Sequence, residues 1–340
     1  MDKKEEVINI LKGIIDPELG KDIVTLDFVK DIEIEEDGKV YMRLLLTSPM
    51  CPLKDYFKNE IRKRLKENLK WFKDVEIAFD VKEDFFLKRK PEGIKRIILI
   101  LSGKGGVGKS TISMNIVFSL KEKGKKVGLL DADFYGPTIS IIGKGKIYAK
   151  GGKVLPFEKE GVKILSIGYL IDKDSPIIWR GPLIHSALKQ LLFDTEWGEI
   201  DYLIIDLPPG TGDPIISLSQ LTSCDGGIAI STPQEVSLND VRRAINMLFK
   251  VNIPLIGIIE NMSYFICENC GKKHYIFGNS YIKEFAREKN IEILGEIPFD
   301  MNLTNLTDKG EIFVLKEKES EITKTFFEIA EKILKRYENL

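Results

Sequence analysis

Nine consecutive residues, Ser102-Gly103-Lys104-Gly105-Gly106-Val107-Gly108-Lys109-Ser110, constrain what this chain can fold into more than any other stretch. From Gly103 they fit the pattern G-x-x-x-x-G-K-[ST] without a gap. They follow an apolar segment, Ile97 to Leu101, and precede one in which Ile112, Ile116, Val117 and Leu120 share a helical face. A strand, a glycine-rich turn and a helix over about residues 110–123 are predicted in that order. The glycines at 103, 105, 106 and 108 let the backbone turn so that successive N–H groups and the helix N-terminus point at phosphate oxygens. Lys109 is then placed for the β- and γ-phosphates of ATP or GTP, and Ser110 offers its hydroxyl to Mg²⁺. The expected nucleotide contacts run through Gly103, Lys104, Gly105, Gly106, Val107, Gly108, Lys109, Ser110 and Thr111.

Around this loop, apolar strand candidates at 96–101, 126–131, 163–167, 202–206, 227–231 and 255–260 alternate with helical stretches. The alternation predicts an α/β fold, a mostly parallel sheet covered by helices, over residues 96–340. Residues 1–88 read as a separate small α+β domain. A helix is expected over Lys3 to Ile14, stopping at Asp16-Pro17. Ile32, Ile34, Val40, Met42, Leu44 and Leu46 alternate with polar residues across Asp37-Gly38, the pattern of a β-hairpin. Leu53, Phe57, Ile61, Leu65 and Leu69 form a helical stripe, and Val75, Ile77 and Phe79 a closing strand. The charged segment 89–95, with Pro91 and Gly93, reads as an exposed linker. At the other end Ile322, Phe326, Ile329, Ile333 and Tyr337 recur at helical spacing beside a mixed Glu and Lys face, as in a docked helix rather than a membrane anchor.

At 340 residues the chain has length for about two cores. Lys plus Arg total 51 against 52 Asp plus Glu, a formal charge of -1, so no global field draws it to nucleic acid or anionic lipid. The start, Met-Asp-Lys-Lys-Glu-Glu, lacks the apolar run of a signal peptide, and a cytoplasmic protein without a membrane partner is expected. The four cysteines, at 51, 224, 267 and 270, are too sparse for a disulfide scaffold. Cys51 precedes a helix N-terminus, which favours its thiolate, whereas Cys224 reads as a small buried hydrophobe.

Two further strands deliver carboxylates to their C-terminal ends, where open α/β sheets bind ligands. One ends in Asp131-Ala132-Asp133-Phe134-Tyr135-Gly136-Pro137, the other in Asp206-Leu207-Pro208-Pro209-Gly210-Thr211-Gly212-Asp213. Asp206 suits the outer shell of Mg²⁺, and Asp133 could orient the attacking water; taken singly each reads better as a capping or turn residue, but three strand ends agreeing with one phosphate loop reverse that. These residues resemble the deviant Walker ATPases, the MinD and ParA-like branch of P-loop NTPases that also contains the nitrogenase iron protein. The resemblance implies that Lys104 reaches across a homodimer to the partner's phosphates, neutralising the transferred group as an arginine finger does. It also implies that Asn261, in Glu260-Asn261-Met262-Ser263, and Pro298, in Ile297-Pro298-Phe299-Asp300, border the adenine.

Cys267-Glu268-Asn269-Cys270 places two thiols at metal-ligand spacing, too few for a four-cysteine site in one chain. A twofold axis would bring two pairs together around a bridging cluster or a zinc ion. A redox dithiol is a further reading of the pair, and His274 is either a third ligand or, as we expect, a packed turn residue. Glu-Asn-Met-Ser, C-x-x-C and His274-Tyr275-Ile276-Phe277-Gly278 are similar to the Mrp/ApbC iron-sulfur cluster carriers. Asp133-Phe134-Tyr135-Gly136-Pro137 and Trp179-Arg180-Gly181-Pro182 agree, and the N-terminal unit, with Asp16-Pro17-Glu18-Leu19 and Cys51-Pro52, resembles the small iron-sulfur-assembly domain that precedes the ATPase in many such chains. Glu268 departs from the proline often found there, and the N-terminal four-cysteine motif of eukaryotic relatives is absent. The resemblance implies a slowly hydrolysing ATPase that holds a [4Fe-4S] cluster between Cys267 and Cys270 of two subunits and passes it to apo-proteins. A ParA-like or MinD-like positioning switch and a zinc-bridged dimeric ATPase are the alternatives.

Overall fold

The computed structural model describes residues 2–17, 20–46, 53–81, 89–142, 148–169, 179, 181–267, 269–278 and 280–338. Cys51, Glu18, Leu19, Pro52, Arg180 and Glu268 lie outside the described residues. The chain divides into two compact units, Met1–Lys88 and Arg89–Leu340.

In the first unit come α1 (Lys3–Leu11), β1 (Val29–Ile34), β2 (Lys39–Leu46), α2 (Lys54–Asn68) and β3 (Asp74–Val81). Asp2 caps α1 by accepting from the backbone N–H of Lys4. The helix stops at Leu11, three residues before the expected Ile14, because the chain turns there to bury Ile14. β1 and β2 are antiparallel, as expected across Asp37-Gly38. Gly38 has φ +89°, and a Cβ there would overlap the carbonyl oxygen of Trp71, so the turn requires glycine. α2 crosses over to place β3 parallel to β2, and the helices bury Val7, Leu11, Phe57, Ile61 and Leu65 against Met42 and Leu44.

The second unit comprises β4 (Ile94–Ser102), α3 (Lys109–Glu122), β5 (Val127–Asp131), β6 (Tyr148–Lys150), β7 (Lys153–Leu155), β8 (Phe157–Lys159), β9 (Val162–Ser166), α4 (Gly181–Phe193), β10 (Ile200–Asp206) and α5 (Asp213–Leu221). It continues with β11 (Gly226–Ser231), α6 (Glu235–Lys250), β12 (Leu255–Ile266), β13 (Lys273–His274), α7 (Tyr281–Lys289), β14 (Ile293–Phe299), α8 (Met301–Asp308), α9 (Phe313–Lys316) and α10 (Glu321–Glu338). The main sheet runs β13-β12-β11-β4-β10-β5-β9-β8, with β14 also paired to β12. Its interior pairs are parallel, and β8 and β13 join antiparallel at the margins. Ile97 to Leu101 on β4 are fully buried, which is why that strand is an unbroken apolar run rather than an alternating one.

Helices α3 and α10 cover one face, and α4, α5 and α6 the other. The α10 stripe of Phe326, Ile329, Ala330 and Ile333 is fully buried. At about 1.5–3 kcal/mol for each large apolar side chain, that burial fixes the helix on the sheet. No helix among the described residues is long and apolar enough to cross a membrane. β4 starts two residues before the strand expected from 96, and Lys90 and Arg96 both pair with Asp225, tying part of segment 89–95 to the sheet. Two further differences bear on the site. The strand expected over 255–260 continues to Ile266, and β14, broken in composition by Gly295 and Pro298, was not foreseen.

Candidate nucleotide site and cysteine hairpin

The loop after β4 opens α3 with Gly108 in the left-handed region at φ +80°, so the N-terminal N–H groups of the helix face the loop's concavity. Among the described residues, adjacent chain neighbours apart, nothing lies within 4 Å of where a Cβ would stand on Gly105 or Gly106, and Gly106 has φ +78°. Space and exposed backbone donors are what a phosphate chain requires there. Gly103 lies against the backbone of Asp240 and Val241, with no room for a side chain. Ser102 Oγ donates to the Lys104 carbonyl oxygen at 3.0 Å. Among the described residues no carboxylate forms an ion pair with Lys104.

β10 lies between β4 and β5 and sets Asp206 opposite Asp131 in register. Asp206 Oδ2 accepts from Lys109 Nζ at 2.9 Å and from Ser110 Oγ at 2.6 Å, while its Oδ1 accepts from Ser113 Oγ at 2.7 Å. Asp133 Oδ2 stands 3.5 Å from the same ammonium, and its Oδ1 accepts from the N–H groups of Tyr135 and Gly136. Burial works against the Lys109 charge, yet Asp206 and then Asp133 outweigh it and raise its pKa. Asp131 behaves in the opposite way. Burial, and next the charge of Asp206, push it up to about 7, although it accepts hydrogen bonds from Ser166 Oγ and the Asp133 N–H. The strand tips thus bring Lys109, Ser110, Asp133 and Asp206 together. Asp131, Ser113 and Ser166 complete the cluster, and sequence reasoning gave none of them a role.

Asn261 on β12 is buried, and its Nδ2 donates to the Val107 carbonyl oxygen at 2.8 Å. A Cβ on Gly108 would overlap that amide, so the glycine is needed for this strand to approach the loop. Pro298 lines a groove of about 270 Å³ with Tyr264, Phe299 and Met301, which Asn261 does not line. Phe134 and Trp179 meet edge to face at 4.8 Å, joining the two sequence segments that carry them.

Beyond Asn261 the strand bulges. Asn261 pairs with Ile297 and Phe265 with Phe299, and Met262 has φ +54°. β12 then turns through the cysteines into β13, pairing Phe265 with His274 and Ile266 with Lys273. The Cys267 N–H donates to the Lys272 carbonyl and the Gly271 N–H to the Cys267 carbonyl, with Gly271 at φ +69°. Cys267 is half-buried and Cys270 exposed, and neither is in a disulfide. The His274 ring is not packed in a turn as expected. It stands on β13 with a nitrogen within 4.8 Å of both sulfurs. Cys224, expected as a buried small hydrophobe, is half-buried and packs against the core from the segment between α5 and β11.

A parallel sheet with a phosphate-type loop at the C-terminal edge of its central strand, backed by an acidic strand tip that holds the loop lysine, defines a P-loop NTPase. Residues 93–334 match the family model described as NUBPL iron-transfer P-loop NTPase, and residues 4–79 match that of an iron-sulfur cluster assembly protein. The chain belongs to the NUBPL iron-transfer P-loop NTPase family. It is 46% identical over 253 residues to an iron-sulfur cluster carrier protein of Aquifex aeolicus, covering 73% of this chain and 70% of that one. It is 38% identical over 341 residues to an iron-sulfur cluster carrier protein of Synechocystis sp., covering 97% and 96%. Among solved structures it is similar to a nucleotide-binding protein of Archaeoglobus fulgidus in complex with ADP, with cobalt found by PIXE. That match has a TM-score of 0.61 and 38% identity, and covers 72% of this chain and 96% of that one.

Proposed function

We propose that the chain is an ATP-driven iron-sulfur cluster carrier. Two copies hold a [4Fe-4S] cargo between Cys267 and Cys270 of each and deliver it to apo-proteins, with no nucleic acid or membrane partner, in the cytoplasm. The observation that carries this reading is the continuity of β12, which holds the P-loop through Asn261 and, six positions on, presents Cys267. Support also comes from the carrier relatives and from the thiols, which are accessible enough to take up and release a cluster.

In this reading residues 1–88 are an iron-sulfur-assembly-like domain, 89–95 a linker and 96–340 the ATPase. Gly103 to Thr111 surround the triphosphate, and Asn261 and Pro298 border the base. Ser110 and Asp206, already joined by a hydrogen bond, would hold Mg²⁺, which when bound supplies charge neutralisation at the phosphates. Lys109 moves from Asp206 to the β- and γ-phosphates, Asp133 orients water, and Lys104 of the second copy neutralises charge on the transferred phosphoryl group. Exchange of Lys109 between a carboxylate and a phosphate gives the strand tips two states, as a switch requires.

Reconstitution of the protein with iron and sulfide without oxygen tests the cargo. The wild type should become brown with one cluster per two chains, and Cys267→Ala should stay colourless. A Cys267→Ala protein that retains a full cluster would remove the assignment.

A further inference from the structure

We propose that Cys267, Cys270 and His274 of a single chain form a three-donor site for one soft divalent cation, zinc, cobalt(II) or iron(II), with a fourth position open. The site uses the cysteines of the cluster reading but rests on His274, which that reading leaves without a role. It requires no second chain.

The hairpin's own alternation places the donors. In an antiparallel pair, residues directly opposite share a face, and neighbours along one strand alternate. His274 is opposite Phe265, and Cys267 follows Phe265 by two, so His274 and Cys267 project to the same side. The other side is pinned independently. Lys273 Nζ lies 4.2 Å from the Tyr264 ring centroid, and Tyr264 meets Tyr275 edge to face at 6.3 Å. With Tyr264, Lys273 and Tyr275 fixing that side, the register cannot slip by one without losing these contacts and turning His274 away.

The left-handed Gly271 and the two backbone hydrogen bonds at Cys267 curl the chain so that Cys270 returns toward the same point. The three donor atoms lie within 4.8 Å of one another. Two sulfurs bound to one tetrahedral ion at about 2.3 Å each stand about 3.8 Å apart, so the donors need close by only about 1 Å. Cys270 and His274 are exposed, and rotamer changes there meet no packed core. Two thiolates and an imidazole suit zinc, cobalt(II) and iron(II) and leave room for an external ligand, as in three-ligand sites generally. A carrier could therefore hold a single metal ion per chain in a state distinct from a bridging cluster, with His274 giving way to the thiolates of a second chain when copies meet.

Cobalt(II) titration of the full-length reduced protein, without oxygen, tests this. The expected result is one cobalt per chain, with the visible bands of tetrahedral cobalt and thiolate charge transfer. His274→Ala should weaken binding at least tenfold, and His274→Cys should restore it with stronger thiolate charge transfer. Unchanged binding of a fluorescent ATP analogue controls for folding of both variants. Saturation at one cobalt per two chains, or a His274→Ala protein that binds cobalt as the wild type does, overturns the proposal. The iron-sulfide reconstitution of His274→Ala reads the cluster separately, so failure of either assignment leaves the other standing.

Discussion

Lys109 Nζ and Asp206 Oδ2 stand 2.9 Å apart in a buried cluster that also contains Asp131 and Asp133. The P-loop lysine thus holds the carboxylates of these strand tips together.

Replacing that lysine is expected to affect folding as well as binding. Lys109→Ala leaves Asp206 buried without its partner, a loss of about 3–5 kcal/mol by comparison with other broken buried pairs. Denaturant titration of the apo-protein should show it. Adding Asp206→Asn should recover most of the stability and none of the ATP affinity, which separates the two roles.

Gly108 meets two constraints at once, a left-handed backbone and contact with Asn261. Gly108→Ala should cost about 1–2 kcal/mol from the backbone alone, and because the exposed loop can relax to shed that strain when empty, re-forming its geometry around the phosphates should lower ATP affinity by about tenfold. Gly108→Ala/Asn261→Ala relieves the overlap but not the strain. Titration with a fluorescent ATP analogue should show partial recovery.

Asp131 makes apo-protein stability depend on pH. Its pKa rises on folding from 3.8 to about 7, so in that interval the folded state keeps a proton that the unfolded chain releases. The associated stability is complete below the unfolded value and is lost as pH rises through the folded one. Melting temperature should fall as the pH is raised toward 7 in the wild type. Asp131→Asn, which stays neutral, should flatten that decline.

Lys104→Ala should leave nucleotide binding to one chain nearly unchanged and reduce hydrolysis by about 10³-fold, the low end for a cation delivered in trans. Mixing Lys104→Ala with Asp133→Asn is the decisive assay. If Lys104 acts across the dimer, two inactive proteins together regain ATPase activity, and if it acts within its own chain they do not.

The loop, the six strands and the acidic tips were legible because each rests on a local pattern: glycine spacing, an apolar run, an aspartate at its end. Asp133 and Asp206 could be assigned to the loop's end of the sheet because each closes an apolar run, whereas their meeting at Lys109 follows from the strand order that the structure supplies. Ser113 and Ser166 could not, because a serine has no signature until another strand or turn brings a carboxylate within reach. β14 escaped notice because Gly295 and Pro298 interrupt its apolar character, and parallel pairing to a long neighbour supplies what its propensity lacks. His274 was expected in a turn because a two-residue strand has no periodicity to detect. Only its pairing with Phe265 reveals it.

The hairpin of β12 and β13 also gives the cysteine motif a parity. Phe265, Cys267 and His274 fall on one side by alternation, so an insertion or deletion of one residue between Phe265 and Cys267 would turn the thiol outward while leaving every recognisable motif in place. Changes by two would preserve the facing. Chains that keep this geometry should vary here in even steps, and one that differs by an odd count would keep the letters of the motif and lose the shared facing of its thiol and imidazole.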